Sequence, residues 1–314
     1  MTADPSRGAR SFWCTEGSMD WLIEFPELGR GDLRDLRKGI DEGFKSFTRA
    51  YGESIENFFD PLLHFLIGLE NLLLAMPWPI FIGLVCWLGW LASRSLKIVI
   101  GTAISFFLIG LLGMWEDTMS TVSIIVVCTL VCIGVGLPVG ILMSRSDRAQ
   151  AIVTPILDVM QTIPSFVYLI PVVMLLGIGK VPGLISVVIY AIPPMIRLTN
   201  LGIRLVDKEV LEAADAFGAS NWQKLTQVQI PLALPNIFAG VNQTIMMSLA
   251  MVVIASMIGV TGLGQPVLKA ISNQYLAMGL LNGLAIVALA IIFDRISQSY
   301  GKRLQSYRQG GHGD

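Results

Sequence analysis

The sequence predicts an all-α polytopic membrane protein with about seven spans, preceded by an amphipathic N-terminal helix. Apolar residues make up 54% of the 314-residue chain and charged residues only 14%, whereas soluble domains carry about 25% charged residues. Several apolar runs approach or exceed the roughly 20 residues that a helix needs to cross a bilayer. The short alternating segments that are typical of a transmembrane barrel are not seen.

The N-terminal region, residues 1–75, differs from the rest because its residues 40–75 predict one long amphipathic helix. Apolar side chains recur there at steps of three and four residues, as they do on one face of a helix. Such a helix usually lies along the membrane surface or against its own protein. A span over 61–75 is the alternative, and the short length of this stretch and its His64 and Glu70 argue against it.

Seven apolar segments predict the spans. Two are accessory spans within 76–115, and five form a core over 118–298. Prolines predict a broken helix in the fourth segment, and the pair Pro193-Pro194 predicts a break in the fifth. In chain order, the predicted spans are 76–93, 98–115, 119–143, 155–178, 183–201, 236–260 and 276–294.

Basic residues orient the spans, because Lys and Arg accumulate on the cytoplasmic side of a membrane. If the loop that carries Arg94 and Lys97 lies inside, 12 of the 14 basic residues after position 75 fall inside, these two included. Only Lys180 and Lys269 then lie outside. The C-terminal tail, 299–314, is therefore predicted to be cytoplasmic. With seven spans the N-terminus lies outside, and an additional span over 61–75 would place it inside.

The cytoplasmic loop 202–235 contains a predicted helical hairpin over residues 207–231, which we call the hairpin. Asp207 precedes a short helix, and Gly218 is a natural left-handed stop after it. Ser220 or Asn221 can cap a second short helix, which we expect to end at Pro231. A compact hairpin with small side chains suits docking into a cleft of a cytoplasmic partner. An ordinary amphipathic loop that only covers the bundle is the alternative.

The hairpin resembles the EAA loop of type I ABC importer permeases. The residues that carry the resemblance are Glu212, Ala213, Ala214, Gly218, Val228, Ile230 and Pro231. The resemblance implies the transmembrane-domain fold of these importers over the core, with a loop that sits in a groove of the ATPase subunit. The residues expected to couple this chain to an ATPase are Glu212, Ala213, Ala214, Gly218, Trp222 and Pro231.

A narrower resemblance covers the segments 161–183, 190–206, 239–259 and 262–268, which are similar to glycine betaine/proline betaine permeases of the ProU type. Bacterial choline permeases share much of the sequence of these segments. The resemblance implies uptake of betaine-type osmoprotectants across a bacterial inner membrane. The implied partners are a second copy of the chain, two ABC ATPase subunits and a periplasmic substrate-binding protein. A permease of the same type for choline, another small zwitterion or an amino acid is the alternative.

No cofactor, metal or nucleic acid is expected on this chain. The motif Gly-x-x-x-x-Gly-Lys-Ser/Thr is absent from the sequence, so ATP and Mg are expected on the ATPase subunit. Cys128 and Cys132 share a helix face, but nothing in the sequence completes a metal site around them. With only His64 and His312 as histidines and no zinc or nucleophile-elbow motif, a membrane-embedded enzyme is disfavoured. A channel that works without an ATPase would not need the hairpin.

Polar residues and prolines inside the spans are candidates for the translocation path, because broken helices in a membrane are tolerated where they line a cavity. Hydrogen bonding between helices is the alternative. The candidates are Gln161, Pro164, Ser165, Tyr168, Pro193, Pro194, Asn242, Gln243, Thr244 and Ser248. We expect Asp158 to lie at the cytoplasmic interface. Aromatic faces bind quaternary ammonium groups, but the resemblance assigns tight recognition to the separate binding protein.

Overall fold

The computed structural model describes residues 28–309, with side chains undescribed at position 300 and over 302–309. The predictions for residues 1–27 and 310–314 lie outside this part. Within it, helices carry nearly all residues and no strand occurs, so the all-helical prediction is confirmed. The helices are α1 (Arg30–Ala75), α2 (Trp78–Ser93), α3 (Leu96–Leu111), α4 (Trp115–Arg145), α5 (Asp147–Thr162), α6 (Ser165–Leu176), α7 (Lys180–Arg204), α8 (Lys208–Ala216), α9 (Asn221–Gln223), α10 (Ile230–Ala255), α11 (Gly264–Asn273) and α12 (Leu276–Gln309).

Five stretches of helix are long and apolar enough to cross a membrane, and a sixth candidate is the bent pair of α5 and α6. The five are α1, α4, α7, α12 and the continuous helical stretch Asn221–Ile258. The predicted accessory spans instead form two apolar helices of 16 residues each, α2 and α3. Each is about 24 Å long, somewhat less than the roughly 30 Å thickness of the hydrocarbon core. The prediction of seven spans is therefore not settled by helix length.

The first helix, α1, is one continuous helix of 46 residues. Its residues 30–50 belong to one compact unit, and residues 51–75 belong to a second unit together with the rest of the chain. Within 51–75, Leu66 and Leu73 are buried in the hydrophobic core, whereas Phe58 and Phe65 are exposed. Leu62 and Leu69 also pack against this core, so the face of α1 that contacts the bundle runs through positions 62, 66, 69 and 73.

Glu70 on α1 is buried and fully paired. It is 7% exposed, and its carboxylate accepts hydrogen bonds from Lys180 Nζ at 2.6 Å and from Ser120 Oγ at 2.8 Å. A buried acid with an opposite charge and a hydroxyl donor is tolerable in an apolar bundle. The presence of Glu70 thus no longer argues against a span that includes residues 61–75, and α1 is long and apolar enough to contain one.

The centre of the bundle is α7, which packs most extensively against α10 and α4 and is the most buried of the candidate spans in residues 28–309. Small residues allow this close approach, as they do in many membrane bundles. A Cβ atom at Gly140 of α4 would stand 2.6 Å from Thr199 Cβ and 2.8 Å from the Ile196 carbonyl oxygen of α7. At Gly202 of α7 it would stand 2.7 Å from Asn236 Cβ of α10.

Proline breaks one predicted helix and leaves another intact. α5 and α6 meet at a bend of 100°, where Ile163 is extended with ψ 130°, as a residue before proline tends to be. The break that the sequence predicts in the fifth segment is absent, because α7 runs without interruption through Pro193 and Pro194. Both prolines are buried, so the surrounding helices hold α7 together where an isolated helix would kink.

We predict that Gly140→Ala lowers the stability of the bundle by about 1–3 kcal/mol, the usual range for an overpacked core. The added methyl group would meet backbone as well as side-chain atoms of α7, and backbone atoms cannot move aside. Thermal unfolding of the purified chain in detergent measures the effect.

Gly134→Ala is the matched control, because Gly134 lies on the same helix and has no atom within 4 Å of its Cβ position. It should keep or slightly raise the melting temperature, since Ala favours helix over Gly. Equal melting temperatures for the two variants would contradict the close contact of α4 with α7.

Candidate functional site: the hairpin and the polar groups of the bundle

The first half of the hairpin folds as the sequence predicts. The Asp207 side chain accepts a hydrogen bond from the Glu209 amide at 3.0 Å and so caps α8. The helix ends before Gly218, whose φ of +76° is left-handed. The Gly218 and Ala219 amides return to the carbonyls of Asp215 and Ala214 at 2.9 and 3.0 Å, which satisfies the end of the helix.

The second half of the hairpin begins with a complete capping box. The Ser220 hydroxyl accepts from the Gln223 amide at 3.3 Å, and the Gln223 side chain accepts from the Ser220 amide at 2.8 Å. This arrangement satisfies two free donors at the start of a helix at once. Lys224 Nζ lies 2.5 Å from Asp215 Oδ1 and joins the two halves across the turn.

The second half does not end at Pro231, as the sequence predicts, but continues into the membrane helix. Residues Lys224–Gln229 form a π-helix that runs directly into α10, so helix is unbroken from Asn221 to Ile258. Proline lacks the amide for a bond four residues back, and the wider π turn, in which the Ile230 amide reaches the Leu225 carbonyl, accommodates it. The hairpin is thus rigidly continuous with a span.

The surface of the hairpin is open. None of the α8 residues is buried, Glu212 and Ala213 are exposed, and Phe217 and Trp222 are 92% and 68% exposed. Leu225, on the second half of the hairpin, is only 3% exposed and packs into a small cluster of α7 and α10 residues. One side of the hairpin therefore anchors it to the bundle and the other side is free for a partner.

Two arginines that the sequence did not single out lie at the ends of α4 and α7, and the first of them holds the base of the hairpin. Arg145, at the end of α4, donates to the Asn221 carbonyl at 3.1 Å. Arg204, at the end of α7, donates to the Met143 carbonyl at 2.9 Å and lies 2.8 Å from Asp147. Their positions in the last turn of each helix were the only signal in the sequence, since cations are common there.

The broken helix brings together only some of the path candidates. Gln161 and Pro164 are exposed and Ser165 is half-buried at the bend between α5 and α6. Tyr168 is buried, donates its hydroxyl to the Met160 carbonyl across the bend and packs edge-to-face on Tyr190. The Tyr168 hydroxyl thus braces the bend.

Four other path candidates lie in the packed interior of the chain. Thr244 and Ser248 are fully buried, and the Ser248 hydroxyl lies 3.2 Å from Cys128 Sγ. Pro193 and Pro194 are buried in the same bundle. The burial of these four residues is typical of interhelical packing, which is the alternative to a path-lining role.

The last two path candidates, Asn242 and Gln243, line a cavity of about 670 Å³ between α10 and α12. Asn242 donates its amide to Asp294 Oδ1 at 2.8 Å and accepts from the Ser297 hydroxyl at 2.5 Å. Gln298 also donates to Asp294 Oδ1, at 2.6 Å. The sequence analysis missed Asp294, because a single acid near the end of an apolar run is also typical of a helix that leaves the membrane.

Asp158 pairs with a cation on a neighbouring helix. Its Oδ1 lies 2.5 Å from Arg197 Nη2, and both side chains are partly exposed. Within residues 28–309, no group of three or more His, Cys, Asp or Glu side chains is placed to hold a metal ion.

We predict that the left-handed backbone at Gly218 sets the shape of the hairpin. Gly218→Val should loosen it, because left-handed backbone costs roughly 1–2 kcal/mol for an ordinary L-residue and more for a branched one. Hydrogen exchange at the amides of residues 208–223 should then be faster.

Gly218→Asn is the control, since Asn tolerates this conformation and no atom lies within 4 Å of the Cβ position. Its exchange should stay close to that of the wild type. Equal acceleration in both variants would mean that bulk, not backbone conformation, decides the effect.

Comparison with known proteins gives a consistent family. Residues 133–306 match the sequence profile of the binding-protein-dependent transport system inner membrane component family. The glycine betaine/proline betaine transport system permease protein ProW of Escherichia coli is 42% identical over 307 residues, 97% of this chain and 86% of that protein. The glycine betaine transport system permease protein OpuAB of Bacillus subtilis is 40% identical over 275 residues, 87% of this chain and 95% of that protein.

Two further proteins extend the comparison. The glycine betaine/carnitine transport permease protein GbuB of Listeria monocytogenes is 42% identical over 258 residues, 80% of this chain and 92% of that protein. Among solved structures, the inward-facing MetNI methionine ABC transporter matches with a TM-score of 0.55 at 19% identity, covering 61% of this chain and 95% of the other. At that identity the match shows the fold alone.

Proposed function

Because the chain belongs to the family of binding-protein-dependent transport system inner membrane components, we propose that it is the permease subunit of an ATP-driven ABC importer for betaine-type osmoprotectants. The hairpin carries the proposal. It is an exposed helical docking surface built on a helix that continues into the membrane, which a permease needs in order to respond to an ATPase.

The proposed complex contains two copies of this chain, two ABC ATPase subunits that hold ATP and Mg, and a periplasmic substrate-binding protein. Closure of the ATPase pair draws the two hairpins together and opens the bundle outward. The binding protein then releases its ligand into the bundle, and hydrolysis resets it. Such coupling requires two states that both nucleotide and binding protein bias.

The relatives support the proposed substrate class. They are permeases for glycine betaine, proline betaine and carnitine, and more distant ones are for trimethylamine N-oxide. These compounds share a methylated nitrogen that carries a positive charge. Choline or another small zwitterion stays the alternative substrate.

The proposed location is a bacterial inner membrane, with the hairpin and the C-terminal tail in the cytoplasm. The distribution of basic residues supports this orientation. The N-terminus is proposed to be periplasmic, and a cysteine-labelling map of intact cells would test it at residue 14.

The experiment that tests the function is a purification of the tagged chain from its native membrane in mild detergent, followed by mass spectrometry of its partners and uptake assays on betaine, choline and proline. Recovery of an ABC ATPase in about equal amount, together with ATP-dependent uptake of glycine betaine, is the expected result. Recovery without an ATPase, under conditions that keep other membrane complexes intact, would overturn the proposal, and conductance measurements would then test a channel.

We predict that Glu212→Lys abolishes ATP-driven uptake and releases the ATPase while the protein stays inserted in the membrane. Glu212 is exposed on α8, and reversing its charge places repulsion at the centre of the docking surface. Co-purification of the ATPase and uptake into vesicles measure the two effects. Gly218→Trp should have the same outcome, because it distorts the turn.

The matched control is Glu116→Lys. Glu116 is also an exposed acid on a helix, but it lies on the predicted outer side. This variant should retain the ATPase. Normal uptake by both Glu212→Lys and Gly218→Trp would rule out the docking role of the hairpin.

A further inference from the structure

The proposed function assigns no role to the residues that line the cavity between α10 and α12. Its volume of about 670 Å³ is within the range of small-molecule sites. Phe238, Asn242, Gln243 and Met246 line it on α10, and Ser297 and Gln298 line it on α12.

One negative charge lies behind the lining of this cavity, because the two amides that hold Asp294 are themselves lining residues. Asp294 is half-buried, and its Oδ1 is held by amide donors from Asn242 and Gln298. Within the side chains that the structure describes, no cation lies within ion-pair distance of it. Its neighbour Arg295 faces a different cavity, beside α3. Neutral amides orient a carboxylate but do not cancel its charge, so a bound cation would stabilise it.

A methylated ammonium fits this site better than a metal ion does. Asn242 donates its amide to Asp294, and its oxygen accepts from Ser297, so this oxygen has little capacity left to coordinate a metal ion. Hard metal ions are coordinated by six or more oxygen atoms. The aromatic ring of Phe238 and the side chain of Met246 suit methyl groups, and aromatic faces attract quaternary ammonium ions.

We propose that this cavity is a low-affinity site for the methylated cationic head of the substrate, with Asp294, which lies behind the lining amides of Asn242 and Gln298, as the source of the attracting charge. The inference rests on the proposed function for the identity of the ligand. Asn242 and Ser297 line the cavity themselves, and Asn242 also fixes the orientation of Asp294. The site lies on α10, the helix that continues into the hairpin, so movement of the hairpin would change its walls.

The test measures the rate at which the thiol introduced by Gln243→Cys is alkylated in vesicles that contain the whole transport complex. Gln243 is exposed and lines the cavity, and mass spectrometry of its peptide separates it from the four native cysteines. The probes are choline and its uncharged isostere 3,3-dimethylbutanol. Choline should slow alkylation about threefold when present at about twice its dissociation constant, and the isostere should not.

A second comparison isolates the counter-ion. Asp294→Asn in the Gln243→Cys background should remove the protection by choline. Asp158→Asn should keep it, because it makes the same change at an acid that is paired with Arg197 elsewhere in the bundle. If the Asp294→Asn variant fails to assemble, the comparison of choline with its isostere still tests whether the cavity binds a cation.

The outcomes separate the site from the function. Equal protection by both probes, or by neither, would overturn the site while ATP-driven uptake of glycine betaine by the same vesicles keeps the proposed function. Protection by choline alone, without any uptake, would overturn the function and leave a cation site. Protection that persists in Asp294→Asn would remove Asp294 from the proposal.

Discussion

Helix α7 approaches α4 and α10 so closely that atoms of one helix occupy the space where a Cβ of the next would stand. Glycines at 140 and 202 make this possible. In a bilayer, helices gain little from hiding apolar surface from each other, so tight packing has to supply the association. The span ends, the anchoring of the hairpin and the cavity beside α10 all depend on where this contact fixes α7 and α10.

Much of this architecture was readable from the sequence, because long apolar runs and helix caps are local signals. The start of α8 at Asp207, the left-handed Gly218 and the cap at Ser220 follow from a few neighbouring residues. The effect of proline was less predictable. The chain bends by 100° at Pro164, whereas α7 continues through Pro193 and Pro194 and a π turn accommodates Pro231. The difference comes from the neighbours that each proline packs against, which a local pattern does not contain.

The polar groups of the bundle show the same limit. Glu70 counted against a span in the sequence, yet it meets Lys180 and Ser120 from positions 110 and 50 residues away. Asp294 was not singled out, and its partners come from α10 and from its own helix. Thr244 and Ser248 have polar side chains, but these side chains are buried in the packed interior of the bundle. Which polar residues face a cavity depends on helix rotation, and apolar patterns fix rotation poorly when both sides of a helix are apolar.

The exposed aromatics of the hairpin bear on the chain before assembly. Phe217 and Trp222 sit on a water-facing hairpin in the proposed topology, and a lone subunit would present both to the cytosol. Apolar groups displayed in this way promote self-association and mark an orphan subunit for chaperones and proteases. Balanced synthesis with the partner that covers them would then determine how much of the chain accumulates, independently of the stability of the bundle itself.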